Sequence, residues 1–187
     1  MIILVSGRAG EGKSTFANYC IKYLNKADYR AKTYPFAKGV KDTARFMGWN
    51  NEKDESGRQL LQEIGNTGRN YNENTWANFN IDSILDDMDY LQGGKNWFAF
   101  VDDWRFRNEG VVLAEKIQPV LTVRVIRPKE FHTLIDSPLY DDISEVSLPN
   151  PEDELDFYNV LVYNSTTLDE LENTAKQFVE RNLVGGK

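Results

Sequence analysis

The 187-residue sequence holds one cysteine, Cys20, and one histidine, His132. A single thiol excludes a disulfide within the chain and fits a reducing cytosol. A single imidazole gives poor support to a histidine-based metal cage or a histidine-dependent triad. Positive charge is in deficit as well: 22 Lys and Arg stand against 29 Asp and Glu, a formal net charge of −7. Such a surface repels polyanions and disfavours a nucleic-acid polymer as partner, so any small phosphorylated ligand needs its arginines gathered locally. No apolar run approaches the ~18 to 20 residues of a membrane span, and no basic region precedes the short apolar run near the first residue. The expectation is a soluble, unexported protein with no membrane partner. Internal repeats and low-complexity tracts are absent too, and the length suits one domain over residues 1–187.

What is present begins at the N-terminus. Ile2-Ile3-Leu4-Val5 is a short apolar run ending in Ser6, and Gly7-Arg8-Ala9-Gly10-Glu11-Gly12-Lys13-Ser14 follows before the pattern turns helical. This is strand, glycine-rich loop and helix start, with the spacing G-x-x-x-x-G-K-[ST] of a Walker A P-loop. Glycines admit the backbone dihedrals that turn successive N–H groups into one concavity around a phosphate. The following helix adds its unpaired amides and positive dipole end. The predicted ATP contacts are Gly7, Gly10, Glu11, Gly12, Lys13, Ser14 and Thr15, with Lys13 reaching the β- and γ-phosphates and the Ser14 hydroxyl placed to ligate Mg²⁺.

Helical spacing of Phe16, Ala17, Cys20, Ile21 and Leu24 predicts a helix to about residue 26, with Cys20 as a small buried apolar residue. Asn25-Lys26-Ala27-Asp28 matches the guanine-reading N-K-x-D of GTPases, but its place after the first helix reads as a helix end and turn. A second strand is expected over 31–35, then helices over 36–47, over 58–64 with Gly65 as its stop, and from residue 74 to Gly93-Gly94. Trp97 to Val101 reads as a buried parallel strand delivering Asp102 and Asp103 at its carboxyl end, where open α/β sheets bind ligands. A helix to about residue 116, a strand over 120–126, a strand over 161–163 and a last helix over 167–183 complete the pattern. Residues 128–151 carry four prolines and little periodicity, the mark of a moving lid or a disordered segment. Strands alternating with helices imply a parallel sheet covered on both faces.

Further constellations carry chemistry. Asp103 can hold Mg²⁺ through its water shell or accept a hydrogen bond from the attacking group, and Arg105 can pair bidentately with a phosphate. Glu109 reads equally as an acceptor-site carboxylate or, with Asn108, as the cap of the next helix. Arg58, Gln62 and Arg69 flank a glycine-containing turn shortly before Trp76, whose ring can stack on a base. Arg127 follows a strand at the mouth of the presumed lid. Arg124 lies within that strand and reads as structural, paired to an acid. Lys38 and Lys41 are solvated lysines that could meet a phosphate.

Taken together the chain resembles a phage-type deoxynucleoside monophosphate kinase, a branch of the P-loop nucleotide kinases. The resemblance rests on the loop spacing, on Phe36-Ala37-Lys38-Gly39-Val40-Lys41, and on Arg58 to Gly65 with Arg69 and Trp76. It continues through Asp103-x-Arg105 with Asn108-Glu109, Arg127-Pro128, Ser144-Glu145 and Asn164 to Leu171. It departs where Asp102 duplicates the acid, leaving open which carboxylate stands on the metal side. It departs again where Asp141 or Asp142 replaces a histidine before Ser144-Glu145. The resemblance implies a three-layer α/β/α sandwich with an adenylate-kinase-like five-stranded parallel sheet, acceptor helices within 36–92 and a lid over 128–151. It implies ATP as co-substrate, Mg²⁺ on Ser14 and, through water, Asp103, catalysis by Lys13, Asp103, Arg105 and Arg127, and a place in deoxynucleotide biosynthesis in the cytoplasm, the host's if phage-encoded. Acceptor contacts would come from Lys41, Arg58, Gln62, Arg69, Trp76, Asp102, Arg105 and Glu109. A P-loop kinase for another small acceptor, such as a coenzyme precursor or sugar, and a nucleotide-dependent switch remain as alternatives. Base preference and oligomeric state, a homodimer included, are not legible.

Overall fold

The computed structural model describes residues 1–52, 54–90, 96–128, 147–154, 156–165 and 167–185. Among the described residues five strands form one parallel sheet of order β2-β3-β1-β4-β5. They are β1 (Ile2–Ser6), β2 (Arg30–Thr33), β3 (Trp97–Val101), β4 (Val120–Ile126) and β5 (Val160–Tyr163). The helices are α1 (Lys13–Lys26), α2 (Ala37–Phe46), α3 (Glu55–Tyr71), α4 (Thr75–Tyr90), α5 (Arg107–Lys116) and α6 (Leu168–Phe178), the last continuing as wider π-type turns over Val179–Val184. The central strands β1 and β3 are uninterrupted apolar runs because both of their faces are covered, and every residue of each is buried. The edge strand β2 instead exposes alternate residues, Arg30 and Lys32.

Alternation along the strands divides the interior into two layers. Ile3, Val5, Phe100, Val123 and Val125 pack on α1 and α6 through Phe16, Cys20, Leu24, Leu171 and Phe178. Ile2, Leu4, Ala99 and Val101 face Ile81 and Ile84 of α4, Leu113 of α5, and Leu148 and Tyr158 from a connecting segment. The result is the three-layer α/β/α sandwich expected. Strand order reverses at β1, with β3 on one side and β4 on the other, so the crevice at its carboxyl end lies at the topological switch point.

Local chemistry explains the element ends. Asp54 Oδ1 accepts from Gly57 N at 2.7 Å and starts α3, and the Thr167 hydroxyl accepts from Glu170 N at 3.3 Å and starts α6. Asn25 brackets Ala31, its Oδ1 accepting from Ala31 N at 2.9 Å and its Nδ2 donating to Ala31 O at 3.2 Å. The N-K-x-D match is therefore a helix end tied to the next strand.

Two elements depart furthest from their expected bounds. The second strand covers Arg30–Thr33 rather than 31–35, ending before Pro35, which has no N–H to extend the ladder. Gly65 does not stop its helix, because α3 runs through it to Tyr71. The glycines here make room: the Trp76 indole Nε1 donates to Gly65 O at 2.9 Å, and a Cβ on Gly68 would lie 2.5 Å from the indole Cζ2. The expected stop at Gly93-Gly94 lies outside the described residues. So does most of the expected lid, including His132, Asp141, Asp142, Ser144 and Glu145.

Gly68→Ala tests this packing. Alanine adds about 1 kcal/mol of helix propensity, but the indole is held by its own hydrogen bond and cannot yield. We expect a net loss of about 1–3 kcal/mol in urea unfolding, and a stability equal to or above wild type would contradict the close contact.

Candidate active site

The loop from Gly7 to Gly12 leaves β1 at the switch point and turns into α1. Gly7, Gly10 and Gly12 have φ of +150°, +81° and +94°, in the region that side-chain-bearing residues rarely enter. No side chain caps α1 and no acid stands in its first turn, so its leading amides and dipole stay open to an anion. Ser14 is exposed and Thr15 half-buried on that turn. Lys13 is 9% exposed, and its Nζ donates to Gly7 O at 2.7 Å and Arg8 O at 2.9 Å. Burial, followed by the nearby Arg105 guanidinium, lowers its pKa to about 8.

Contacts from outside hold this loop. Asn164, at the end of β5, donates from Nδ2 to Glu11 O at 2.9 Å, and its own N–H bonds Ile126 O at 2.8 Å. A Cβ on Gly12 would lie 2.6 Å from that Nδ2. The Glu11 carboxylate is buried and turned back on the loop, accepting from Arg8 N, with Arg124 Nη2 3.7 Å from its Oε2. Glu11 thus offers its main chain to the cradle while its side chain is engaged within the loop. The acid partner expected for Arg124 is Glu11.

Beside the loop opens a cavity of about 280 Å³ walled by α2, α3 and the segment after β3. Six of the predicted residues, Lys41, Gln62, Arg69, Asp103, Arg105 and Glu109, line it. Apolar Phe36, Val40, Leu61 and Phe106 complete the wall. Arg69 lies over the Phe106 ring at 5.3 Å and donates to Asn66 Oδ1 at 2.9 Å. Asp103 Oδ1 and Oδ2 accept from Phe36 N at 2.7 Å and Ala37 N at 2.9 Å, tying the start of α2 to the end of β3. Burial raises its pKa, and the neighbouring Asp102 adds to the rise.

Glu109 is 7% exposed, and its Oε2 accepts from Phe106 N at 3.0 Å and Arg105 N at 3.1 Å. It therefore caps α5 from within while lining the cavity, joining both readings of the residue. Burial pushes its pKa up to about 7 against the opposing pull of those two amides.

Other predicted residues stand apart from this lining. Arg58 is exposed on α3, Asp102 is half-buried beside Asp103, and Trp76 packs behind the wall on Gly68 and Gly39. Arg127 lines a second cavity of about 530 Å³ on the β4 and β5 side, with Arg8, Glu11 and Arg124. Sequence reasoning missed Phe106 as the aromatic lining the first cavity and Asn164 as the clamp on the loop. A polar residue directly after an apolar strand, at the binding edge of the sheet, was the available signal for Asn164.

Comparisons place this geometry among known proteins. No family model matches the chain. It is 32% identical over 148 residues to the uncharacterized protein ORF77 of Ictalurid herpesvirus 1 (strain Auburn), covering 79% of this chain and 59% of that protein's length. A crystal structure of a putative kinase from Chloroflexus aurantiacus matches 100% of this chain and 97% of its own, at 15% identity and a TM-score of 0.56. Shikimate kinase from Aquifex aeolicus aligns over the whole of both chains at 16% identity with a TM-score of 0.47. The chain has the P-loop kinase fold.

The burial of Glu109 makes stability depend on pH. Its folded pKa lies above the usual 4.5, so between those values the native state holds a proton that the unfolded chain has released. Stability then falls as pH rises from about 4.5 to 7. Glu109→Gln keeps an oxygen for both amides and removes the titration. We expect the variant to lose less Tm than wild type between pH 5 and pH 8, by the equivalent of up to about 3 kcal/mol. Parallel Tm curves would contradict a buried, titrating Glu109.

Proposed function

We propose that this chain transfers the γ-phosphoryl group of ATP to the 5′-phosphate of a deoxynucleoside monophosphate, giving ADP and the diphosphate. The observation that carries this reading is the cavity beside the loop, whose cations Lys41, Arg69 and Arg105 share one wall with Phe106 and apolar side chains. Cations fix a phosphate, and an aromatic and aliphatic surface suits the faces of a base. A polyhydroxylated sugar would call for more hydrogen-bonding groups than Gln62 and the carboxylates provide.

A phosphate acceptor is already an anionic nucleophile at neutral pH, so catalysis reduces to positioning and charge neutralisation. Lys13 would leave its two loop carbonyls for the β- and γ-phosphates, while the loop amides and the open end of α1 hold the triphosphate. Arg69 and Arg105 would bring up the acceptor, with Arg58 closing from the rim. Trp76 would act on the base through the wall it supports, and Arg127 would cover the transition-state charge from the second cavity.

The residues present fit Mg²⁺. Among the described residues no three His, Cys, Asp or Glu side chains form a metal cluster, and a hydroxyl with carboxylate oxygen and water is the donor set this ion takes beside phosphates. Ser14 would ligate it directly. Both Asp103 oxygens are engaged by α2 amides, which favours Asp102 for the water shell and leaves Asp103 to place α2. When bound, the ion would neutralise charge on the β- and γ-phosphates.

A panel of deoxynucleotides, ribonucleotides, sugars and coenzyme precursors, read by coupled ADP release, tests the assignment. Deoxynucleoside monophosphates should give the highest kcat/KM, and turnover confined to another acceptor class would reject them as substrates. Lys13→Met should lower kcat/KM by roughly 10²–10³-fold with any true acceptor. Undiminished turnover in that variant would remove the loop from the mechanism.

A further inference from the structure

Arg124 is a charged residue in the middle of an apolar strand, aligned with Ser6 at the end of β1 and only 5% exposed. A guanidinium kept for structure normally has its five N–H donors consumed. This one does not. Its Nε is buried without a hydrogen-bond partner, and its Nη2 lies 3.7 Å from Glu11 Oε2, within ion-pair reach but beyond hydrogen-bond length. The side chain lines the second cavity against the loop, where Arg8 and Arg127 also stand. The facing groups are the Tyr158 hydroxyl, which donates to Pro149 O at 2.9 Å, and at the rim Glu152. Arg124 and Arg105 both act on the Lys13 ammonium, from β4 and from the acceptor side. A buried guanidinium with an unused donor, lining a cavity beside the loop with Arg8 and Arg127, describes a place for an anion that the loop amides alone do not fill.

We propose that Arg124 is a catalytic residue, its guanidinium contacting the phosphoryl group in flight opposite Arg105. The inference rests on the phosphotransfer reading above. In the step, a bond forms from an acceptor phosphate oxygen to the γ-phosphorus. The bond from that phosphorus to the β–γ bridging oxygen breaks, and the electron pair leaves with ADP. Arg124 donates hydrogen bonds to the equatorial oxygens and transfers no proton. Glu11 holds the guanidinium in place until the phosphates arrive.

Steady-state kinetics and binding of ADP with aluminium fluoride, a mimic of the transferring group, test the role in the full chain. Arg124→Met should lower kcat by roughly 10²–10³-fold, with KM for ATP and acceptor within about threefold and Tm held. It should weaken the ADP–aluminium fluoride complex far more than ADP alone. Added guanidinium ion should restore activity to Arg124→Ala, which a structural role would not allow. Retention of kcat in Arg124→Met would overturn the proposal. So would recovery of kcat in the Glu11→Gln/Arg124→Met double variant, because Arg124 would then act only by neutralising Glu11. Wild-type protein inert toward every acceptor would sink the phosphotransfer reading itself and this role with it, an outcome distinct from an active wild type matched by an active Arg124→Met.

Discussion

A phosphate cradle made of backbone amides works only while its dihedrals stay fixed, and here they are fixed from outside the loop. Glycine permits the positive φ at positions 7, 10 and 12 but does not enforce it. Enforcement comes from two contacts: Asn164, after β5, holds the carbonyl of Glu11, and the Glu11 carboxylate closes back on Arg8 N. The buried β1 ladder supplies the rigid base for this. The cradle thus follows from the sheet order, which sets β4 and β5 beside the strand that feeds the loop.

The wall of the first cavity is suspended from the same sheet by two carboxylates that act through main chain. Asp103 draws the first amides of α2 to the end of β3, and Glu109 gathers those of Arg105 and Phe106. Desolvation raises the proton affinity of both acids, a cost that accompanies fixing the backbone of the cavity wall. The charge distribution has the same logic. A chain of net charge −7 nonetheless collects Lys41, Arg69 and Arg105 in one cavity and Arg8, Arg124 and Arg127 in a second. Local concentration, not net charge, attracts a small phosphorylated ligand.

Much of this was legible in the residues. The apolar runs at 2–5 and 97–101 announced buried parallel strands because neither alternates, and the loop spacing placed the crevice. The limits are physical as well. Gly65 reads as a helix stop in isolation, and only the indole of Trp76, arriving from another helix, turns it into a packing site. Phe106 and Trp76 are both aromatic residues near arginines, and nothing in their spacing tells which lines the cavity and which supports it.

The central claim is that the crevice holds two phosphorylated molecules at once, one in the loop and one against the arginine wall. Calorimetric titration of the purified chain with a non-hydrolysable ATP analogue and magnesium, followed by a deoxynucleoside monophosphate, tests it most directly. The account predicts saturable one-site binding in each titration and formation of a ternary complex. Mutual exclusion of the two ligands, or no heat from the nucleotide triphosphate analogue, would contradict it.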